Sequence, residues 1–435
     1  MLFKTLCDRR HVSLRKLAGD KSLEVKFGRF LSNEAVTNQE IITSGVEKTR
    51  ELSKGEHVLA IQDTTEINHQ RHKNKVSGLG TVGNGVDIGF FLHPMLVLEA
   101  GSGSCLGIGA VHYWNRTKKK AKDYQKLPIE EKESFRWLLT AEAVKKNLGE
   151  AKLITVIGDR ESDIYEEWYR IPDERTHLLT RACQDRKLGN GKRLFEYSGE
   201  LPLAGTYTIE AQERIGKRSK HSAKLEVRFG EVVLKRPQNC SDCEAPKEVR
   251  VRLVDVREAK ETVIEGEEPI HWRLLTTHEV NTLEQAREVI DWYCERWNIE
   301  QLFRTLKRQG FDVESSQIST AEVLIKLTLI ALLAAIQTLQ LTLARDGKLE
   351  RPVGDVFSKE ETQLLGSLLP TLEGKTEKQK NPHPRLTLAW AAWIVARLGG
   401  WKGYASERPP GPITMIRGQK EFASIARGYW LARNV

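Results

Sequence analysis

Two short apolar runs constrain this chain more than any other feature. Val58-Leu59-Ala60-Ile61-Gln62-Asp63 and Leu153-Ile154-Thr155-Val156-Ile157-Gly158-Asp159 each have the length and texture of one buried strand, and each ends on an acid. An acid at the tip of a buried strand is poorly solvated and rigidly held, which suits a cation ligand. Asp is also common in strand-end turns and as a helix cap, so neither residue decides its own role.

The segments between and around them add an order. Residues 90–99 and 105–114, separated by Gly101-Ser102-Gly103, read as an antiparallel hairpin. A helix is expected over about 129–148, a second over 162–170 and a strand over 177–183. The series is three strands, helix, strand, helix, strand. Residues 184–270 break it with short alternating runs such as Tyr207-Thr208-Ile209-Glu210-Ala211, which read as a β-rich insertion. Thr282 and Gln285 then form a capping box, and helical periodicity runs on through Gln309 with Gly310 at the C′ position. The first 50 or so residues read as short helices. Thr37 caps one that runs toward Ser53 and is closed by Gly55. The tail beyond 345 is helical, with a capping box at Ser358 and Glu361, and Pro409-Pro410-Gly411-Pro412 punctuates it.

Composition narrows the class. The chain has 435 residues, enough for two to four domains, and 40% hydrophobic with 29% charged residues is a globular balance. Lys and Arg number 68 against 59 acids, so the net charge is 68 − 59 = +9, which favours a polyanionic partner without naming it. Six scattered cysteines do not make a disulfide framework. Cys240 and Cys243 form one CxxC with no second pair, a metal knuckle or a polar loop. Cysteine usage and an N-terminus without a long apolar core point to the cytoplasm. Residues 323–344 have the length of a membrane span, but Lys326, Gln337, Gln340 and the Ser319–Glu322 capping box fit a buried core helix better.

The long helix carries the decisive spacing. Tyr293, Arg296, Glu300 and Lys307 sit at offsets 0, 3, 7 and 14. At about 100° per residue they share one arc roughly 60° wide, flanked by Trp297 and Arg304. A solvated charged face is one reading of such a stripe, yet it leaves the aromatics and the two strand-end aspartates unexplained. Three carboxylates that converge can bind two divalent cations and drive phosphoryl transfer, and oxygen-only ligands suit Mg²⁺ or Mn²⁺. Arg296 and Lys307 then hold the phosphates of a nucleic acid. The basic runs 116–120 and 214–220 fit as further phosphate contacts or as solvated loops.

At this point the sequence resembles a family. Tyr-(2)-Arg-(3)-Glu-(6)-Lys is the YREK signature of the insertion-sequence-four DDE transposases, matched without gaps. Ile61-Gln62-Asp63-Thr64-Thr65 and Gly158-Asp159-Arg160-Glu161-Ser162-Asp163-Ile164-Tyr165 resemble its two acidic blocks. Glu131-Lys132-Glu133-Ser134 and the stretch from Trp390 to Tyr404 are also similar. The resemblance implies an α/β fold: a ribonuclease-H-like catalytic core with a β-rich insertion and helical N- and C-terminal regions. The expected divisions are a DNA-binding region over 1–55, core over 56–183, insertion over 184–275, core with the glutamate helix over 276–345, and a possible dimerisation region over 346–435.

The resemblance also implies cut-and-paste transposition. Water nicks the transposon end, and the freed 3′-hydroxyl attacks the opposite strand to make a hairpin. The hairpin is reopened and the end joined to target DNA. Asp63 would bridge two ions per active site, with Asp159 and Glu300 completing one site each. Tyr293, Arg296, Lys307, Trp272, Arg181 and Arg160 would contact DNA, Trp272 by holding a flipped base beside Arg181. Expected partners are double-stranded DNA, as transposon ends and target, and a second copy in a synaptic homodimer, with no membrane. The expected location is cytoplasmic, at the nucleoid when DNA is bound. A nuclease without strand transfer, and a non-catalytic DNA-binding derivative, are the competing readings.

Overall fold

Four helices open the chain: α1 (Leu2–Arg9), α2 (Leu14–Ala18), α3 (Lys21–Ser32) and α4 (Asn38–Leu52). Thr37 caps α4 through a complete capping box with Glu40. Then come β1 (His57–Gln62), β2 (Thr65–Asn68), β3 (Gly80–Thr81), β4 (Ile88–Glu99) and β5 (Cys105–Trp114). The next stretch alternates: α5 (Phe135–Asn147), β6 (Leu153–Gly158), α6 (Tyr165–Arg170) and β7 (Thr176–Arg181). Helix α7 (Leu194–Glu200) and strands β8 (Gly205–Ala211), β9 (His221–Lys235), β10 (Glu248–Glu258) and β11 (His271–Thr276) make the β-rich segment. The chain ends in helices α8 (Leu283–Cys294), α9 (Trp297–Leu306), α10 (Ala321–Ala344), α11 (Lys359–Leu372), α12 (Leu388–Leu398) and α13 (Pro412–Arg433). This computed structural model is a mixed α/β protein. It describes residues 1–73, 75–116, 124, 127–211, 213, 216, 218–348, 351–404 and 407–433.

The chain divides into two compact units with interleaved sequence. One comprises Met1–Lys54, Thr64–Lys119 and Trp297–Val435; the other comprises Gly55–Asp63 and Lys120–Arg296. In the second unit β1, β6 and β7 run parallel, with Ile61 opposite Ile157 and Gly158 opposite Thr180. Strand β11 then pairs antiparallel with β7, and β10, β9 and β8 continue the antiparallel order. Val58, Leu59, Ala60, Ile61, Val156 and Ile157 are buried, as the unbroken apolar runs require of parallel strands covered on both faces. Trp137, Leu138, Ala141 and Val144 give α5 its buried stripe.

In the first unit β4 pairs with β2, β3 and β5, and the β4–β5 hairpin is irregular at Met95/Leu96 and Val97/Leu98. Helix α10 packs on β5 and is touched by α1, α4, α9, α12 and α13. It is the one helix among the described residues long and apolar enough to cross a membrane, and 83% of its apolar window is buried. Lys326 tolerates that burial because its ammonium reaches Glu322 at 2.8 Å and the Asn33 carbonyl at 3.1 Å.

Several expectations need correction. The helix expected from Thr282 to Gln309 is two helices, broken at Glu295–Arg296. There the bonding shortens: the Glu295 N–H reaches Trp292 as well as Asp291, and the Arg296 N–H reaches Tyr293. The stripe angles therefore do not carry from Tyr293 and Arg296 across to Glu300 and Lys307. Gly310 is not a left-handed cap; Asp312 takes that conformation at φ 51°. Gly310 is needed for close approach, since a Cβ there would stand 2.2 Å from the Thr305 carbonyl oxygen. Helix α10 is capped at Thr320 without a side-chain bond, because Glu322 turns to Lys326 instead of closing a box with Ser319. Helix α5 starts at Phe135, preceded by a 3₁₀ turn over Ile129–Glu131. Of the basic runs, residues 117–120, 214, 215 and 217 lie outside the described residues.

Candidate active site

The second unit brings three chemistry-bearing side chains to one edge of its parallel sheet. Ile61 and Ile157 face each other in the ladder, and Asp63 and Asp159 each lie two residues further along. Gly158 pairs with Thr180, so Asp159 and Arg181 follow a paired position by one residue each. Asp63, Asp159 and Arg181 thus stand in a row at the carboxyl ends of β1, β6 and β7. That is the end where parallel sheets collect ligands. Gly158 makes the β6 end possible: a Cβ there would lie 2.3 Å from Ser162. The Asp159 carboxylate caps the following 3₁₀ turn by accepting from the Glu161 N–H at 2.8 Å.

Cations and aromatics surround the row. Arg296 Nη1 donates to Asp63 Oδ2 at 3.3 Å, and both side chains are largely buried. Tyr293 is buried, and burial raises its phenol above the usual range; Arg296 and Arg181 pull it down and Asp159 pushes it further up. Those causes place its hydroxyl among the predicted residues. The Trp272 ring lies 6.3 Å from the Tyr293 ring, tilted 56°. Arg181 donates to the His271 carbonyl at 2.9 Å. Arg160 is exposed and lines a cavity of about 370 Å³ together with Arg181, Arg273, His271, Cys183 and Phe195. Seven of the nine predicted site residues, Asp63, Asp159, Tyr293, Arg296, Trp272, Arg181 and Arg160, therefore belong to the second unit.

Glu300 and Lys307 belong to the first unit. Glu300 is half-buried in the first turn of α9. Lys307 follows the end of α9, where its ammonium donates to the Glu66 carbonyl at 2.8 Å and pairs with Glu314 at 3.3 Å.

Sequence reasoning missed the support beneath the Arg cavity. Asp255 on β10 is buried and takes Arg257 at 2.5 Å, His271 at 3.1 Å and Arg273 at 3.5 Å. Burial, the largest single influence, raises its carboxyl, but His271 and Arg257 outweigh it and hold the group below the usual carboxylate range. Asp255 and Arg257, two apart on β10, and His271 and Arg273, two apart on β11, were the available signal. A buried trio, Gln62, Glu167 and Ser162, was missed as well; it lies directly behind the two aspartates.

The donor chemistry fits a hard divalent cation, since Asp63 and Asp159 offer only carboxylate oxygen. Among the described residues no three His, Cys, Asp or Glu side chains gather as a ready-made cation site.

One solved structure similar to this chain is the piggyBac transposase synaptic complex with hairpin DNA, at 9% identity and a TM-score of 0.32. The likeness covers 76% of this chain and spans 61% of that one, too loosely to define a shared fold. Residues 124–336, which include Asp159 and Glu300 and begin after Asp63, match the family model of the transposase DDE domain.

Proposed function

We propose that this chain is a cut-and-paste DDE transposase of the YREK class with a ribonuclease-H-like catalytic core. The observation that carries the reading is the row of Asp63, Asp159 and Arg181 at three adjacent parallel strand ends, the last two within the matched transposase segment. Asp63, Asp159 and Glu300 would hold two Mg²⁺ or Mn²⁺ ions. When bound, such a pair supplies an activated attacking oxygen and charge stabilisation on the leaving oxygen.

The chain's own side chains do the rest. Arg296 orients and neutralises Asp63 through the bond described above. Arg181, Arg160 and Lys307 meet backbone phosphates, and the guanidinium groups can do so bidentately. Trp272 and Tyr293 offer adjacent ring faces on which an unstacked base can lie, which offsets part of the cost of extruding it. The substrate is double-stranded DNA, as transposon ends and as target. One strand is nicked, its 3′-hydroxyl closes a hairpin on the opposite strand, and the reopened end joins target DNA. A homodimer holds the two ends, with α11 to α13 as its contact, and the protein works in the cytoplasm at the nucleoid.

Cleavage of a labelled duplex bearing the native transposon end, with Mg²⁺, tests this. Wild type yields a hairpin-ended product and Glu300→Ala yields none. Nicking that never proceeds to a hairpin would leave a nuclease instead. Cleavage that survives the loss of Glu300 would remove it from the site.

A further inference from the structure

A buried carboxyl lies behind the two aspartates and touches neither. Glu167, on α6, has no solvent exposure. Its Oε1 accepts from Gln62 Nε2 at 3.0 Å, and its Oε2 meets Ser162 Oγ at 2.8 Å. Gln62 is the residue before Asp63, and Ser162 closes the turn that Asp159 caps. Gln62 is itself fixed from the other side, where Thr140 Oγ1 donates to its Oε1 at 2.7 Å. One side chain therefore has one hand on each strand tip.

We propose that Glu167 is a positioning residue: its carboxyl clamps the ends of β1 and β6 and so sets the spacing of Asp63 and Asp159. This rests on the reading of those two acids as cation ligands. Partners one step removed from a metal ligand commonly matter in this way, since they fix the ligand's orientation.

The charge state of the clamp follows from its surroundings. Burial, its largest influence, pushes the carboxyl up to about 8; Ser162 and Gln62 pull it down, and Asp163 raises it further. The other groups facing it are neutral: Gln62 from β1, Thr140 from α5 and Thr180 from β7, the last 3.4 Å from Ser162. Asp163 is already paired with Arg186 at 2.6 Å. Near neutral pH the clamp is thus the uncharged acid. Ser162 Oγ donates to its Oε2 and Gln62 Nε2 to its Oε1. Above pH 8 an anion forms there, and its burial costs the folded state stability.

The test uses full-length Glu167→Ala and Glu167→Gln with two readouts. Calorimetric titration with Mn²⁺ alone at pH 7 should show affinity reduced about 10–100-fold in the Ala variant and largely restored in the Gln variant. Thermal unfolding from pH 4.5 to 9 supplies the second readout. An acid raised in the folded state contributes stability that is complete below the unfolded value and is lost as pH rises toward the folded one. Wild type should therefore lose ground to Glu167→Gln between pH 4.5 and 8 and run parallel to it above. Should Glu167→Ala not fold, the comparison of wild type with Glu167→Gln still decides. A pH-independent gap, together with equal Mn²⁺ affinity at pH 9, would overturn the clamp, and so would a wild type that binds no Mn²⁺. A wild type that binds Mn²⁺ as described but cuts no DNA would refute the transposase reading and leave the clamp standing.

Discussion

Gly158 is the residue on which the geometry of the β6 tip depends. Its backbone passes so close to Ser162 that a Cβ would fall 2.3 Å from both side-chain atoms and 3.3 Å from the Trp137 ring. Ser162 cannot swing aside, because its hydroxyl is held by Glu167. Gly158→Ala must therefore move the backbone that presents Asp159. Overpacking of this kind costs about 1–3 kcal/mol. The expected outcome is a lower unfolding midpoint together with a loss of end cleavage larger than the stability change explains. Unchanged cleavage with a normal midpoint would mean the strand end can relax freely. Asp63 and Asp159 could be read from the sequence, because strand ends and acids leave a local mark, whereas Arg181 came only through the family resemblance. Glu167 could not: Glu166 and Glu167 are adjacent acids on a short helix, and only packing decides that Glu167 is sealed between β1 and the Asp159 turn.

Among the elements, α8 is where a local signal and its consequence can be measured together. Thr282 Oγ1 accepts from the Gln285 N–H, and the Gln285 side chain accepts from the Thr282 N–H, so the expected capping box is complete. The helix it starts ends beside Arg296 and carries Tyr293 at the site. Thr282→Ala should cost about 1 kcal/mol, seen as a lower midpoint in thermal unfolding. The cap is far from the chemistry, so Mn²⁺ affinity should stay near that of wild type; a large drop would show that α8 positions the site through its start. The break after α8 was not legible. Glu295, Arg296 and Trp297 are all acceptable in a helix, and the shortened bonds that separate α8 from α9 reflect a tertiary choice. Strands β2 and β3 escaped notice for a related reason: four and two residues are too few to show an alternation. The capping boxes at Thr37, Thr282 and Ser358 were legible because each is closed by residues three apart.

For the whole molecule, linear segments do not coincide with compact units. Residues Thr64–Lys119 group with Trp297–Val435, and Gly55–Asp63 with Lys120–Arg296, because strands gather neighbours far away in sequence. No window of sequence carries that grouping. It matters for acid stability, since each unit has its own buried histidines. In the second unit His57 and His278 both reach the Thr155 hydroxyl, at 2.8 and 2.7 Å, and the His177 ring stacks on His278 at 4.0 Å. Burial first, then His177 and His57, push His278 down to about 2. In the first unit burial pushes His69 down to about 4, with His72 adding to the effect. A histidine lowered on folding leaves the unfolded chain holding more protons once pH drops below about 6.5. Stability is then complete above that pH and lost progressively as pH falls toward the folded values. The expected result is an unfolding midpoint that declines steadily below pH 6.5. His278→Gln flattens part of the decline, because the second unit then has one fewer buried base to protonate. A slope identical in wild type and His278→Gln would show that the imidazole cluster opens to solvent before the unit unfolds.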